Sequence, residues 1–226
     1  LDDVELRLKH MDELGIDVQV LHNTFWIEQV TSNRQAEVAV CRSWNRWLAN
    51  IWKQSNGRLR WSCMPPLLSM PDALDQIRWS KENGAVAVCL RPVEGNRLLA
   101  DPYFYPVYEE AQKLDMAIAI HIANGSPWLN DLYNHPTRIA ATLHRFRVPT
   151  VASFNDILLS EIHEQFPKLR FGFIEASAQW VPWVMHEAKN RFKTMGRRLP
   201  DNLLKEYGMF VTGENSDDLP YIVREA

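Results

Sequence analysis

The sequence has little of what marks a specialised class of protein, and each shortage narrows the reading. Cysteine is scarce: Cys41, Cys63 and Cys89 stand far apart and form no CxxC pair, so reduced core thiols are expected, with a disulfide or a thiolate metal site as the alternative. Long apolar runs are missing. No stretch approaches the roughly 18 residues a membrane span needs, and the opening "LDDVELRLKH" lacks the apolar core of a signal peptide. The expectation is a cytoplasmic protein without membrane contact. The net charge is only -3, with both signs interspersed, which leaves no electrostatic footprint for nucleic acid or anionic lipid. Glycine-framed motifs are absent as well. No GxGxxG follows an apolar run, there is no P-loop, and Ser177 in "EASAQ" lacks the glycines of a nucleophile elbow, which argues against a serine hydrolase. No low-complexity linker or internal repeat divides the 226 residues, so residues 1–226 read as one domain.

What is present is an alternation of strand and helix in a chain of 46% hydrophobic and 23% charged residues, the composition of an ordinary soluble globular protein. Runs rich in Val, Ile and Leu read as buried parallel strands: "DVQVLH" (17–22), "LRWSCM" (59–64), "AVAVCLR" (85–91), "MAIAIHI" (116–122), "LRFGFIEA" (169–176) and "GMFVTG" (208–213). Between them Ala36, Val40, Trp44, Trp47, Leu48 and Ile51 recur at helical spacing. Pro71-Asp72 opens a helix that stops at Asn83-Gly84, and Asp101-Pro102 opens one carrying Phe104, Val107, Ala111 and Leu114 on one side. Repeated units of this kind close into a (β/α)8 barrel or an open doubly wound sheet. Val4, Leu8 and Met11 begin the chain in a helix, and "DDLPYIVREA" ends it in one. The expected fold is therefore α/β, a (β/α)8 TIM barrel with its first and last strands missing. Residues 123–168 exceed a simple connection and are expected to form a helical insertion over one end of the sheet.

In either architecture ligands bind at the carboxyl ends of parallel strands, and polar residues gather there: His22-Asn23, Arg91, His121, Glu175 and Glu214-Asn215. The run "MAIAIHIANG" is apolar until it meets His121 and then a turn at Asn124-Gly125. Taken alone, a strand-end histidine is more often a hydrogen-bonded structural residue. Glu175 follows Phe171, Phe173 and Ile174, so on a strand covered on both sides its carboxylate would leave water and require a cation or several donors. A divalent metal would serve, or an arginine, with Arg91 as the partner in a purely structural reading. Imidazole plus carboxylate is a common divalent-metal set, although two ligands do not complete a site.

Four stretches, "ELGIDVQVLHNTFW", "VAVCLRPVEGNRLLADPYFYPVYEEAQKLDMAIAIHIANG", "FPKLRFGFIEASAQWVPWVM" and "VTGENSDDLPYIV", together resemble the metal-dependent amidohydrolase-related family over nearly the whole chain. The resemblance implies a distorted TIM barrel and a divalent metal ion of the zinc type. The family includes hydrolases and the non-oxidative decarboxylases related to aminocarboxymuconate-semialdehyde decarboxylase. By the same resemblance His121, ending the fifth barrel strand, is a metal ligand and catalytic residue. Glu175 takes the place ending the sixth, where many members have histidine, and its carboxylate would bind the metal or orient its water. The family's His-x-His is expected to precede Leu1 and its catalytic aspartate to follow Ala226, which would make the sequence an interior portion of a barrel.

Substrate contacts are expected from Asn23 and Arg91 at strand ends, from Trp26 just beyond "DVQVLH", and from Trp128 in the insertion. His135, before Pro136, reads as a surface-turn residue, with a reach to the barrel mouth as the alternative. His10, His144, His163 and His186 fall in helical patterns without ligand spacing, and exposure is expected for them. Trp44, Trp47, Trp52 and Trp61 either line an oligomer interface or pack helix on barrel. Unpaired sheet edges and apolar helix faces point to self-association, so a homo-oligomer acting on a small molecule is expected. Three functions remain: a metal-dependent hydrolase working through activated water, a non-oxidative decarboxylase of an aromatic or muconate-type carboxylic acid, and a metal-free barrel serving as a binding or assembly subunit. Two or more arginines in the pocket would favour a carboxylated substrate.

Overall fold

Each of the six apolar runs forms a strand in the computed structural model, which describes residues 3–133, 143–198 and 200–225. His135 and Pro136 lie outside the described residues. The strands are β1 (Gln19–Leu21), β2 (Leu59–Cys63), β3 (Ala85–Leu90), a small hairpin of β4 (Val93–Glu94) and β5 (Arg97–Leu98), then β6 (Ala117–His121), β7 (Phe171–Ile174) and β8 (Met209–Val211). Hairpin apart, they lie side by side as β1-β2-β3-β6-β7-β8, every neighbouring pair parallel. A doubly wound sheet reverses its strand order at a switch point. This order never reverses, so the six strands form the wall of a TIM-type barrel, as expected.

The helices are α1 (Val4–Glu13), α2 (Arg34–Gln54), α3 (Met70–Glu82), α4 (Tyr105–Lys113), α5 (Pro127–Tyr133), α6 (Val148–Leu159), α7 (Ile162–Gln165), α8 (Val181–Thr194), α9 (Leu203–Glu206) and α10 (Leu219–Glu225). Local chemistry sets their starts. The Asn33 side chain accepts the Ala36 N–H at 3.1 Å to open α2, and Asp101 accepts the Tyr103 N–H at 2.8 Å to open the 3-10 turn Pro102–Phe104 that leads into α4. The described part of 123–168 contains α5, a π-type turn at Leu143–Arg147, α6 and α7.

Val88, Leu90, Ile118, Ile120, Phe171 and Phe173 are fully buried in one core with Ile77, Phe104, Tyr108 and Phe154 from the helix layer. Side chains alternate along a strand, so sending Ile118 and Ile120 to the helices turns His121 to the other face. Phe154 meets Phe173 and Trp180 edge-on, each with ring centroids 5.0 Å apart, which ties α6 to β7 and α8. Trp61 is a core residue whose Nε1 donates to the Asn83 carbonyl at 3.0 Å. Trp52 lies over Gly84, where φ is +91° and an added Cβ would stand 2.2 Å from the indole. Trp44 is half-buried and Trp47 exposed on α2.

Two features depart from the sequence reading. The β4–β5 hairpin was not foreseen, although Gly95-Asn96 between two short arms is a two-residue hairpin signal. His163, expected at the surface, is buried: α7 presses it onto Tyr207, with ring centroids 4.1 Å apart, and edge-on to Phe171 at 5.7 Å. Burial, reinforced by Arg197, pushes its pKa down to about 4. The three cysteines are free and buried, and burial pushes the Cys63 and Cys89 thiols up to about 12.

Candidate active site

The register that pairs His121 with Ile174 brings two of the expected residues together. His121 Nε2 lies 3.0 Å from Glu175 Oε2, with the imidazole 8% and the carboxylate 66% exposed. That exposure corrects the expectation that Glu175 leaves water. The strand ends at Ile174, and Glu175 takes a left-handed turn, φ +63°, that lifts its carboxylate to the rim. The turn is held by a hydrogen bond from the Glu175 N–H to Thr212 Oγ1 at 3.0 Å. Burial lowers the pKa of His121 below its ordinary value and outweighs the opposing pull of Glu175. The imidazole is therefore neutral at physiological pH, the form that binds a metal ion.

Sequence reading named no role for His22, yet its ring stacks on His121 with centroids 5.8 Å apart at 25°. Its Nδ1 is 3.1 Å from Ser62 Oγ. Burial, then the neighbouring His121, lowers its pKa to about 4. The available signal was its position, the last residue of an apolar run, just as for His121.

The other expected residues lie elsewhere. Arg91 is buried and does not meet Glu175, because the hairpin folds Glu94 back over the strand end. Arg91 Nε donates to Glu94 Oε2 at 2.9 Å, its N–H to Glu94 Oε1 at 3.0 Å and its Nη1 to the Glu28 carbonyl at 2.9 Å. Gly125 packs against this pair so closely that a Cβ there would lie 2.5 Å from the Val93 carbonyl and 2.6 Å from Arg91 Nε. Asn23 is also buried. Its Nδ2 donates to Met64 Sδ at 3.0 Å and Cys89 Sγ at 3.2 Å, and its Oδ1 accepts the Trp26 N–H at 3.0 Å. Trp26, 5% exposed, packs with Cys41, Met64 and Cys89, whereas Trp128 on α5 is 65% exposed.

A clamp unforeseen in the sequence braces the loop after β7. Asp217 Oδ1 accepts from Ser177 Oγ at 2.5 Å, and its Oδ2 accepts the N–H groups of Ala178 and Glu214 at 2.8 Å each. Burial raises the Asp217 pKa, but these hydrogen bonds prevail and hold it below the usual carboxylate value. Ser177, itself at φ +60°, donates its N–H to Glu214 Oε1 at 2.9 Å, and Arg147 Nη2 binds Glu214 Oε2 at 2.9 Å.

A divalent ion fits His121 and Glu175 as part of its coordination: a neutral imidazole and a hydrated carboxylate within 3.0 Å are donors it accepts. Among the described residues no group of three or more His, Cys, Asp or Glu converges on a point, so this pair makes up an incomplete set.

The amidohydrolase family model matches residues 5–219. The chain belongs to the amidohydrolase family. Several solved structures share its fold. An amidohydrolase from Mycobacterium avium subsp. paratuberculosis K-10 is 18% identical, with a TM-score of 0.81 over 97% of this chain and 60% of its own. The 5-carboxyvanillate decarboxylase LigW from Sphingomonas paucimobilis is 17% identical, with a TM-score of 0.77 over 99% of this chain and 69% of its own. A dihydroxybenzoic acid decarboxylase from Polaromonas sp. JS666, solved with manganese and the inhibitor 2-nitroresorcinol, is 20% identical, with a TM-score of 0.71 over 96% of this chain and 69% of its own. The chain thus spans 60% of the length of the first of these structures. No match is found among the curated proteins. Among the described residues no helix of this amidohydrolase-family chain is long and apolar enough to cross a membrane.

Proposed function

We propose that this chain is the barrel of a cytoplasmic metal-dependent hydrolase acting on a small organic substrate, with His121 and Glu175 holding part of a zinc-type site. The observation that carries this reading is the 3.0 Å approach of a buried neutral imidazole to an exposed carboxylate at adjacent strand ends. Bound there, a divalent ion supplies a Lewis acid and an acidified water. The chain's own residues do the rest. His121 would offer Nε2 to the ion beside the Glu175 carboxylate, and His22 stacks against the ring and fixes its plane. Glu175, in water yet backbone-clamped, accepts a proton and returns it to a leaving group. Trp128 offers an exposed aromatic face to an apolar substrate.

Among the described residues, the pairing of three arginines supports hydrolysis over decarboxylation. Arg91, Arg145 and Arg147 are each paired, with Glu94, Glu28 and Glu214, and so do not offer a free cation to a substrate carboxylate. The second reading, a decarboxylase of an aromatic or muconate-type acid, draws support from the likeness to the two decarboxylases. Metal quantification of the intact protein and of His121→Ala, followed by assay against lactones, amides, thioesters and aromatic carboxylic acids, tests both. Hydrolysis with metal lost in His121→Ala is the expected result. Carbon dioxide release would select the decarboxylase, and unchanged metal content would return His121 to a structural role, leaving a metal-free binding or assembly barrel.

A further inference from the structure

His22 has one ring nitrogen engaged and one open. Ser62 Oγ donates its single proton to the Leu21 carbonyl at 3.3 Å, so in its 3.1 Å contact with His22 Nδ1 the hydroxyl has only a lone pair to offer. Nδ1 therefore carries the imidazole proton. Burial keeps the ring neutral, and a neutral imidazole protonated at Nδ1 presents a bare lone pair at Nε2. Among the described residues no donor meets that nitrogen. The neighbouring Asn23 directs its amide to Met64 and Cys89 instead.

The place of the ring indicates what the lone pair serves. β2 and β3 separate β1 from β6, about 14 Å along the sheet at the usual strand spacing, yet the His22 and His121 centroids stand 5.8 Å apart. The two rings thus reach toward each other across the inside of the curved wall. The open acceptor lies beside the His121–Glu175 pair, within reach of an atom bonded to the carbon of a carbonyl held there. Lactones and thioesters carry no hydrogen on that atom, whereas a primary or secondary amide carries an N–H. We propose that His22 is a specificity residue whose Nε2 accepts the N–H of the scissile group, and that the substrate is accordingly a primary or secondary amide. This rests on the hydrolase reading above and narrows it. A site built to hydrogen-bond a substrate N–H rejects the analogue without one, because the protein acceptor is then left unpaired.

Calorimetric titration of the zinc-loaded intact protein with benzohydroxamate and N-methylbenzohydroxamate, chelators that differ at one N–H, tests this. The expected result is at least tenfold tighter binding of the N–H form, an advantage abolished by His22→Phe, which keeps a ring to stack but has no acceptor. Long-range proton–nitrogen NMR of the metal-free protein should show His22 protonated at Nδ1 and bare at Nε2, and Ser62→Ala should mix the two tautomers. A protein that holds zinc but binds both probes alike, a preference that survives His22→Phe, or a proton on Nε2 would overturn the inference alone. Failure to hold zinc would overturn it by a separate route, through the metal-dependent reading on which it rests.

Discussion

The two halves of the strand-end face use similar residues for opposite purposes. Beyond β3 and β6, Arg91, Glu94 and Asn124 are 6%, 7% and 0% exposed, and the charges are spent on each other. Beyond β7 and β8, the carboxylate of Glu175 stays in water while its backbone is fixed by Thr212 and the clamp that follows. A buried ion pair must offset the desolvation of both partners and gains little by it, but losing one partner is expensive. The Arg91–Glu94–Asn124 cluster is therefore scaffold. A hydrated carboxylate on a strained, pinned turn contributes little to stability and remains free for chemistry, the part the proposed function gives to Glu175 beside His121.

The largest expected effect probes the scaffold. Arg91→Leu strands Glu94 in the interior and should lower the unfolding free energy by about 3–5 kcal/mol in urea titration, with much of the loss recovered in the double Leu variant of Arg91 and Glu94. A loss below about 1 kcal/mol would erase the distinction between the halves.

Acid should loosen the β7–β8 half first. His163 braces β7 and the approach to β8 through Phe171 and Tyr207, and its folded pKa of about 4 lies below the ordinary 6.5. Between those values the unfolded chain binds a proton that the folded chain refuses. The stabilisation is therefore complete above pH 6.5 and lost as the pH falls toward 4, by at most about 3 kcal/mol. Urea titrations at pH 7 and 4.5 should show the loss, and His163→Phe should remove the His163 share of it while the comparable share of His22, whose pKa also falls to about 4, remains. Hydrogen exchange at pH 4.5 should speed up at β8 before β3.

The smallest effects concern Glu175. Replacement by Gln should change stability by less than about 0.5 kcal/mol, as at other exposed sites. Glu175→Gly relieves the left-handed turn at φ +63° and should stabilise by up to about 1 kcal/mol. Both variants should bind zinc or manganese at least tenfold more weakly in calorimetric titration. A marked loss of stability with either would place Glu175 in the scaffold.

The fold was legible because the strands of this sheet are covered on both sides and read as unbroken apolar runs, while Asp101 and Pro71 mark helix starts locally. The strand-end position of His121 was legible for the same reason, an imidazole ending such a run. The Arg91–Glu94 pair was hidden by a hairpin only a few residues long. The exposure of Glu175 was hidden too, because it depends on a single backbone angle at a residue other than glycine. The burial of His163 depends on Tyr207, far along the chain, and helical periodicity alone cannot report a neighbour of that kind.

Gly84 and Trp52 carry a consequence for how this chain can diverge. The backbone at position 84 is left-handed, and the indole occupies the space a Cβ would need, so a side chain there meets two separate penalties. Removing the indole lifts only the steric one. Gly84→Ala should thus be far better tolerated after Trp52→Ala than before it, a dependence of one substitution on another, so that this corner changes in a fixed order or not at all.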